Sequence, residues 1–216
     1  MKVIMPNAEF FNTFGFYSVR NFLDRDFCRS IREEISISKT ALGGILPYGS
    51  DEYVFDETFK SRMESEVSEQ TIEKISRKLL EKAPEIENHY QVEITKVQRI
   101  RFVTYRTGDF YKAHVDYFTP ENTPEKYKDI PVSTRVTKRK TAAIVFLNDE
   151  SAEPSEDTYG GGNLTFHGLM QNPLFGNFGL PVIGECGLLI TFPPSVLHEV
   201  TPVTHGKRYS LATWYS

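Results

Sequence analysis

The sequence predicts a mainly β protein with helices packed outside it, an α+β arrangement, and three observations carry that prediction. Apolar residues recur at helical spacing in only two stretches, both before residue 90. After residue 90 the chain becomes a series of short apolar runs of strand length, rich in Val, Ile, Phe and Tyr. Glycine and proline clusters separate those runs. Helices first and many short strands afterwards fit an α+β fold, or a β barrel or sandwich with external helices, a class that includes double-sheet jelly rolls. With 216 residues, 39% of them apolar and 13% aromatic, the chain is expected to form one domain over 1–216. Residues 1–90 are read as mostly helical support and 91–216 as the β core.

In chain order, the aromatic run from Phe14 to Phe22 reads as a short strand, and Asp24 as a helix N-cap. Phe27, Cys28, Ile31, Ile35 and Ile37 then place an amphipathic helix over 25–38. Gly43, Gly44, Pro47 and Gly49 mark a loop. A second helix is predicted over 60–82, with Met63, Val67, Ile72, Ile75, Leu79 and Leu80 as its stripe and Pro84 beyond its end. Val92 to Tyr105 reads as β structure and Thr107-Gly108-Asp109 as a turn, followed by a strand carrying His114 and Asp116. The polar connection 118–140, with three prolines and the basic residues Arg135, Lys138, Arg139 and Lys140, has the length of a lid. Thr141–Leu147 and Leu188–Phe192 are continuously apolar, as strands covered on both faces are. An acidic loop runs from Asn148 to Thr158. Gly160-Gly161-Gly162 reads as a tight turn rather than a phosphate loop, because no Gly-Lys-Ser/Thr follows it. Strands are expected at 163–166, near 197–203 and at 207–215.

A net charge of −4 argues against non-specific binding to nucleic acid or membranes. Two cysteines, Cys28 and Cys186, match no metal-binding spacing and suggest a reducing compartment. The apolar run at the N-terminus is too short for a secretory signal, and nothing approaches the ~20 apolar residues of a membrane span. A cytoplasmic protein is expected.

His114 and Asp116 carry the chemistry. Two apart in a strand, they leave the same face. One further histidine would complete the two-histidine, one-carboxylate face of non-haem Fe(II) oxygenases. The chain has five histidines: His89, His114, His167, His198 and His205. A lone histidine is more commonly structural than a ligand, and His198 alone is ambiguous. Arg208, ten residues further on, and Ser210 after it single His198 out. If the strands holding His198 and Arg208 are antiparallel neighbours across Thr204-His205-Gly206, Arg208 lies deep in the same barrel. A buried guanidinium needs an anionic partner, and its planar fork suits a carboxylate. By contrast, His205 reads as a solvated turn residue, the 135–140 cluster as a solvated face, and Trp214 as core. His167 has no assigned role; Tyr117, Phe118 and Tyr127 are candidates to touch substrate.

The set His114-x-Asp116, His198 and Arg208-x-Ser210 resembles the Fe(II)/2-oxoglutarate-dependent dioxygenases, and its layout is most similar to their prolyl 4-hydroxylase branch. Tyr105, nine residues before His114, stands where that branch has a tyrosine for 2-oxoglutarate. Residues 141–149 and Gly161-Gly162-Asn163-Leu164-Thr165-Phe166 resemble two further segments of it. One departure is the anchor: the branch commonly uses lysine, whereas here Arg208 follows Lys207. Neighbours on a strand point oppositely, so only one can serve, and spacing together with Ser210 favours Arg208.

The resemblance implies a double-stranded β-helix, a distorted jelly roll. It implies Fe(II) held by His114, Asp116 and His198, and 2-oxoglutarate anchored by Arg208, Ser210 and Tyr105. With O2 as second co-substrate, the expected reaction releases succinate and CO2 and hydroxylates a C–H bond. Related halogenases replace the carboxylate ligand with a small residue, so Asp116 favours hydroxylation. The leading substrate is a prolyl residue in a peptide or protein, ahead of a free amino acid or another small molecule. A non-catalytic metal-binding jelly roll or a cupin-type isomerase is the rival, but neither needs Tyr105 or the Arg-x-Ser pair.

Overall fold

The computed structural model describes residues 8–45, 54–117, 138–170 and 178–216. Most of the expected lid, with Phe118, Tyr127 and Arg135, and part of the 43–49 loop lie outside those residues. The elements run α1 (Ala8–Asn12), β1 (Tyr17–Val19), α2 (Arg25–Ile37), β2 (Thr40–Leu42), β3 (Lys60–Ser61), β4 (Met63–Ser65) and α3 (Glu69–Tyr90). There follow β5 (Arg101–Arg106), β6 (Phe110–His114), β7 (Thr141–Phe146), β8 (Asp149–Glu150), β9 (Thr158–Gly161) and β10 (Leu164–Phe166). The last are β11 (Leu180–Val182), β12 (Leu189–Phe192), β13 (His198–Val200) and β14 (Val203–Tyr215).

Among the described residues the strands form two sheets. One has nine strands in the order β1-β12-β7-β14-β5-β4-β2, with β9 on β14 and β8 on β9; the other runs β11-β10-β13-β6-β3. Their facing surfaces enclose an aromatic core of Phe146, Phe166, Phe192 and Trp214, with Leu164, Val182 and Ile190. The outer face of the nine-stranded sheet packs against helices. There Ile31 and Ile35 of α2 and Ile75, Leu79 and Ile86 of α3 meet Phe102, Val145, Leu189 and Leu211. Strand alternation divides the residues: Ala142 and Phe146 of β7 point between the sheets, Ala143 and Val145 toward the helices. This β-rich, two-sheet architecture is the expected jelly roll.

Asp24 caps α2 as its sequence suggests, accepting from the Phe27 amide at 2.8 Å. The second helix, however, begins at residue 69 with Ser68 as N-cap, and residues 60–61 and 63–65 form the short strands β3 and β4 instead. β3 pairs with β6, and β4 with β5, so distant partners override the local helical pattern. Pro84 lies inside α3. Its ring removes a hydrogen bond to the Leu80 carbonyl, but Leu80 is on the exposed side, where water can serve. A short helix, α1, precedes the first strand, and residues 92–100 hold one β-bridge, Val97 with Tyr215, rather than a strand.

The C-terminal hairpin is also absent. Thr204-His205-Gly206 lies within β14, which pairs first with β9 and then with β5 and β7. Gly206 has φ of +71°, and a Cβ there would stand 2.4 Å from the Thr158 carbonyl oxygen, so this strand can cross β9 only with glycine. β13 belongs to the other sheet, and only residues 201–202 separate the two strands. Cys28 and Cys186, remote in sequence, share the helix-side core, where a thiol–thiol hydrogen bond and burial raise Cys28 well above the usual range. No helix among the described residues is long and apolar enough to cross a membrane.

Candidate metal and dicarboxylate site

β6 and β13 are antiparallel, and their register sets His114 directly opposite His198. The two rings lie 4.3 Å apart between centroids. Asp116 follows β6, held by two amide bonds to the Pro194 carbonyl, from its own N–H at 2.8 Å and from Tyr117 at 3.0 Å. The Pro193-Pro194 pair that ends β12 thus fixes the carboxylate. Asp116 Oδ2 lies 3.8 Å from His198 Nε2, and one ligand atom from each of the three residues falls within 4.8 Å of the others. A non-haem Fe(II) face needs this donor set and spacing.

Both imidazoles are oriented for a metal. His114 Nδ1 is 2.8 Å from the Lys112 carbonyl and His198 Nδ1 is 2.9 Å from that of Val196. A carbonyl only accepts, so each Nδ1 carries the hydrogen and each Nε2 offers its lone pair. Tyr111 stacks on His114 at 3.6 Å, and Phe192 meets His198 edge-on at 4.9 Å, locking the rings. Although His114 keeps some exposure, burial, with His198 as the next cause, pushes it down to about 3, so it stays neutral. Burial alone would raise Asp116, but His198, Arg139 and His114 outweigh it and hold the carboxyl below the usual range. Two imidazoles and one carboxylate thus converge in a donor set suited to a divalent cation.

Across the inter-sheet space stands Arg208, 1% exposed, paired in register with Tyr105. Its guanidinium lies 5.2 Å from the Tyr105 ring and 5.0 Å from that of Phe146. Two of its nitrogens, Nε and Nη1, are buried with no hydrogen-bond partner among the described residues. A buried guanidinium in that condition calls for an anion, and a carboxylate of 2-oxoglutarate fits it. Ser210, two residues on and 3% exposed, shares the face, whereas Lys207 is exposed. Gly162 leaves the room: a Cβ there would sit 2.7 Å from Val203 Cγ2 and 3.4 Å from Arg208 Cδ.

The sequence reading overlooked three side chains. Arg139, assigned above to a solvated face, is buried and donates to the Asp116 carbonyl at 2.9 Å, with its Nη1 3.9 Å from Asp116 Oδ1. Arg62, hidden in a presumed helix, donates to the Tyr105 hydroxyl at 3.2 Å and to Glu64 at 2.9 Å. Tyr111 carries no sequence signal apart from its closeness to His114. His205 is no solvated turn residue either; its Nε2 is buried, and its ring fills the space a Cβ on Gly160 would take. His167 pairs with Glu199 at 3.0 Å on the far side of β10 and β13 from the core.

Comparison with known proteins agrees with this geometry. Residues 100–216 match the family model of the 2OG-Fe(II) oxygenase superfamily. A PKHD-type hydroxylase of Pseudoalteromonas atlantica is 30% identical over 122 residues, 55% of this chain and 43% of the relative. One from Acidovorax ebreus is 32% identical over 115 residues, 53% and 41% of the two chains. The match thus spans less than half the length of these curated relatives. Among solved structures, a Pseudomonas putida prolyl-4-hydroxylase superposes with a TM-score of 0.63 at 18% identity, covering 96% of this chain and 95% of its own. A prolyl hydroxylase from Trichoplax adhaerens, in complex with a hypoxia inducible factor peptide fragment, gives 0.64 at 18%, covering 96% and 86%.

Proposed function

Because this chain belongs to the 2OG-Fe(II) oxygenase superfamily, we propose that it is a 2-oxoglutarate-dependent hydroxylase of a prolyl residue in a peptide or protein. Residues 1–216 work as one domain in this reading. One observation carries it: His114, Asp116 and His198 converge on one wall of the inter-sheet space, and Arg208 keeps two unpartnered nitrogens on the other. Fe(II), held by those three side chains, supplies the redox chemistry that couples decarboxylation of 2-oxoglutarate by O2 to C–H hydroxylation.

The chain's own groups orient and hold. His114 and His198 keep their Nδ1 hydrogens on backbone carbonyls and present Nε2 to the metal. Asp116 stays ionised, its backbone carbonyl pinned by Arg139. Arg208 pairs with the far carboxylate of 2-oxoglutarate, and Ser210 adds a hydroxyl. Because Arg62 donates into the Tyr105 oxygen, the phenolic hydrogen remains available for the same carboxylate. The peptide-binding neighbour and the hydroxylase names of the relatives support the prolyl substrate. The free thiols Cys28 and Cys186 support a cytoplasmic setting.

The test is anaerobic mixing with Fe(II) and 2-oxoglutarate. A weak visible charge-transfer band is expected, then succinate release on admitting air with proline-containing peptides. No band and no succinate would overturn the reading, and turnover of free amino acids alone would overturn its peptide substrate.

A further inference from the structure

The net charge of −4 is not evenly spread. Beside the metal face a groove of about 750 Å3 is lined by Lys96, Arg99, Arg101, Lys138 and Arg139, with Glu64 as its sole carboxylate among the described residues. Glu64 is already engaged, 2.9 Å from Arg62 and 3.4 Å from Arg101. The positive character extends into an adjoining cleft that shares Lys96 and Lys138 and adds Lys140, against the one acidic side chain of Glu93 among its described residues. Such a concentration of cations against the overall sign focuses a field that draws an anionic partner into the groove.

The groove ends at the chemistry. Arg139, a wall of the groove, donates to the Asp116 carbonyl and lies 3.7 Å above the Trp214 ring. Arg101 approaches the same indole at 5.4 Å. A partner seated there therefore lies one side chain from a metal ligand. Its character follows from the lining. Trp214 is covered by guanidinium groups and offers no stacking platform for bases. A long polyanion leaving the groove would meet a net-negative protein. A short acidic segment of polypeptide needs neither and pairs well with arginine.

We propose that this groove holds an acidic stretch of the substrate polypeptide, next to the residue that is hydroxylated. The proposal rests on the hydroxylase reading above, and its test is a binding measurement that does not need turnover. A fluorescent proline-centred peptide carrying three glutamates is compared, by anisotropy, with its three-glutamine twin. The glutamate peptide should bind about tenfold more tightly at low salt, as three exposed ion pairs allow, and the gap should close in high salt. The exposed triple variant Lys96→Glu/Arg99→Glu/Lys138→Glu should lose the preference. Equal affinity of the twins, a salt-independent gap, or a preference that survives charge reversal would overturn the proposal. Displacement of the peptide label by a short oligonucleotide, with no discrimination between the twins, would assign the groove to nucleic acid instead. The anaerobic charge-transfer band, recorded on the same preparation, reports the metal centre separately: band present with equal twins defeats the groove alone.

Discussion

The two faces of the nine-stranded sheet are built from alternate residues of the same strands, yet they serve opposite ends. On the helix side, Phe102, Val145, Leu189, Leu211 and Tyr215 close against α2 and α3 into an apolar layer. One residue along each strand, the inner side carries Tyr105, Arg208 and Ser210 among aromatic rings. A pleat thus lets a single strand contribute both to a core and to a polar site. The outer face is free to be apolar because nothing has to bind there. The inner face holds a buried cation with two unpartnered nitrogens among the described residues, which the proposed carboxylate of 2-oxoglutarate would complete.

That contrast can be broken in order of expected effect. His198→Ala should abolish iron-dependent turnover, read as succinate release alongside iron content; full activity would remove His198 from the triad. Arg208→Ala should raise the 2-oxoglutarate requirement on the order of 100-fold, since a buried partner of a carboxylate is lost, while Lys207→Ala leaves it alone. The reverse outcome would show the neighbouring lysine to be the anchor. On the other face, Ile31→Ala should cost about 2–5 kcal/mol in denaturant unfolding, with the 2-oxoglutarate KM unmoved; a raised KM would mean the faces are not independent.

The smallest test concerns Lys60, 2% exposed, its ammonium on the Gly44 carbonyl and 4.9 Å from the Tyr111 ring. Burial above all, then the Arg62 charge, pushes it from 10.5 down to about 6. Between those values the unfolded chain binds more protons than the folded one, so stability rises with pH across that window, by at most about 1.4 kcal/mol per unit. Lys60→Met should flatten that rise in pH-dependent denaturation; an unchanged slope would place the titration elsewhere.

The sequence revealed local features and missed those made by distant partners. Asp24 and the α2 stripe were legible because capping and helical period act within a few residues. His114 was legible as a strand residue, whereas Asp116 lies just past β6 and is set beside it by the Pro194 carbonyl rather than by the strand period. Residues 60–65 were misread because they owe their extended form to β5 and β6, about forty to fifty residues downstream. For the same reason Arg62, which joins β3 to β4, escaped notice. Arg139 looked like one charge in a basic run, and only the fold turns it onto Asp116. The proposed hairpin failed because Gly206, a turn residue by composition, instead carries β14 past β9.

Two residues, Thr201 and Pro202, join the strand of His198 to the strand of Arg208, and these strands lie in different sheets. The interval from His198 to Arg208 is therefore set by the packing of two sheets, ~10 Å apart face to face, and not by a loop that could stretch. On the proposed reading the two sheets act as a fixed-gap gauge, in which a keto diacid of matching length would touch both jaws.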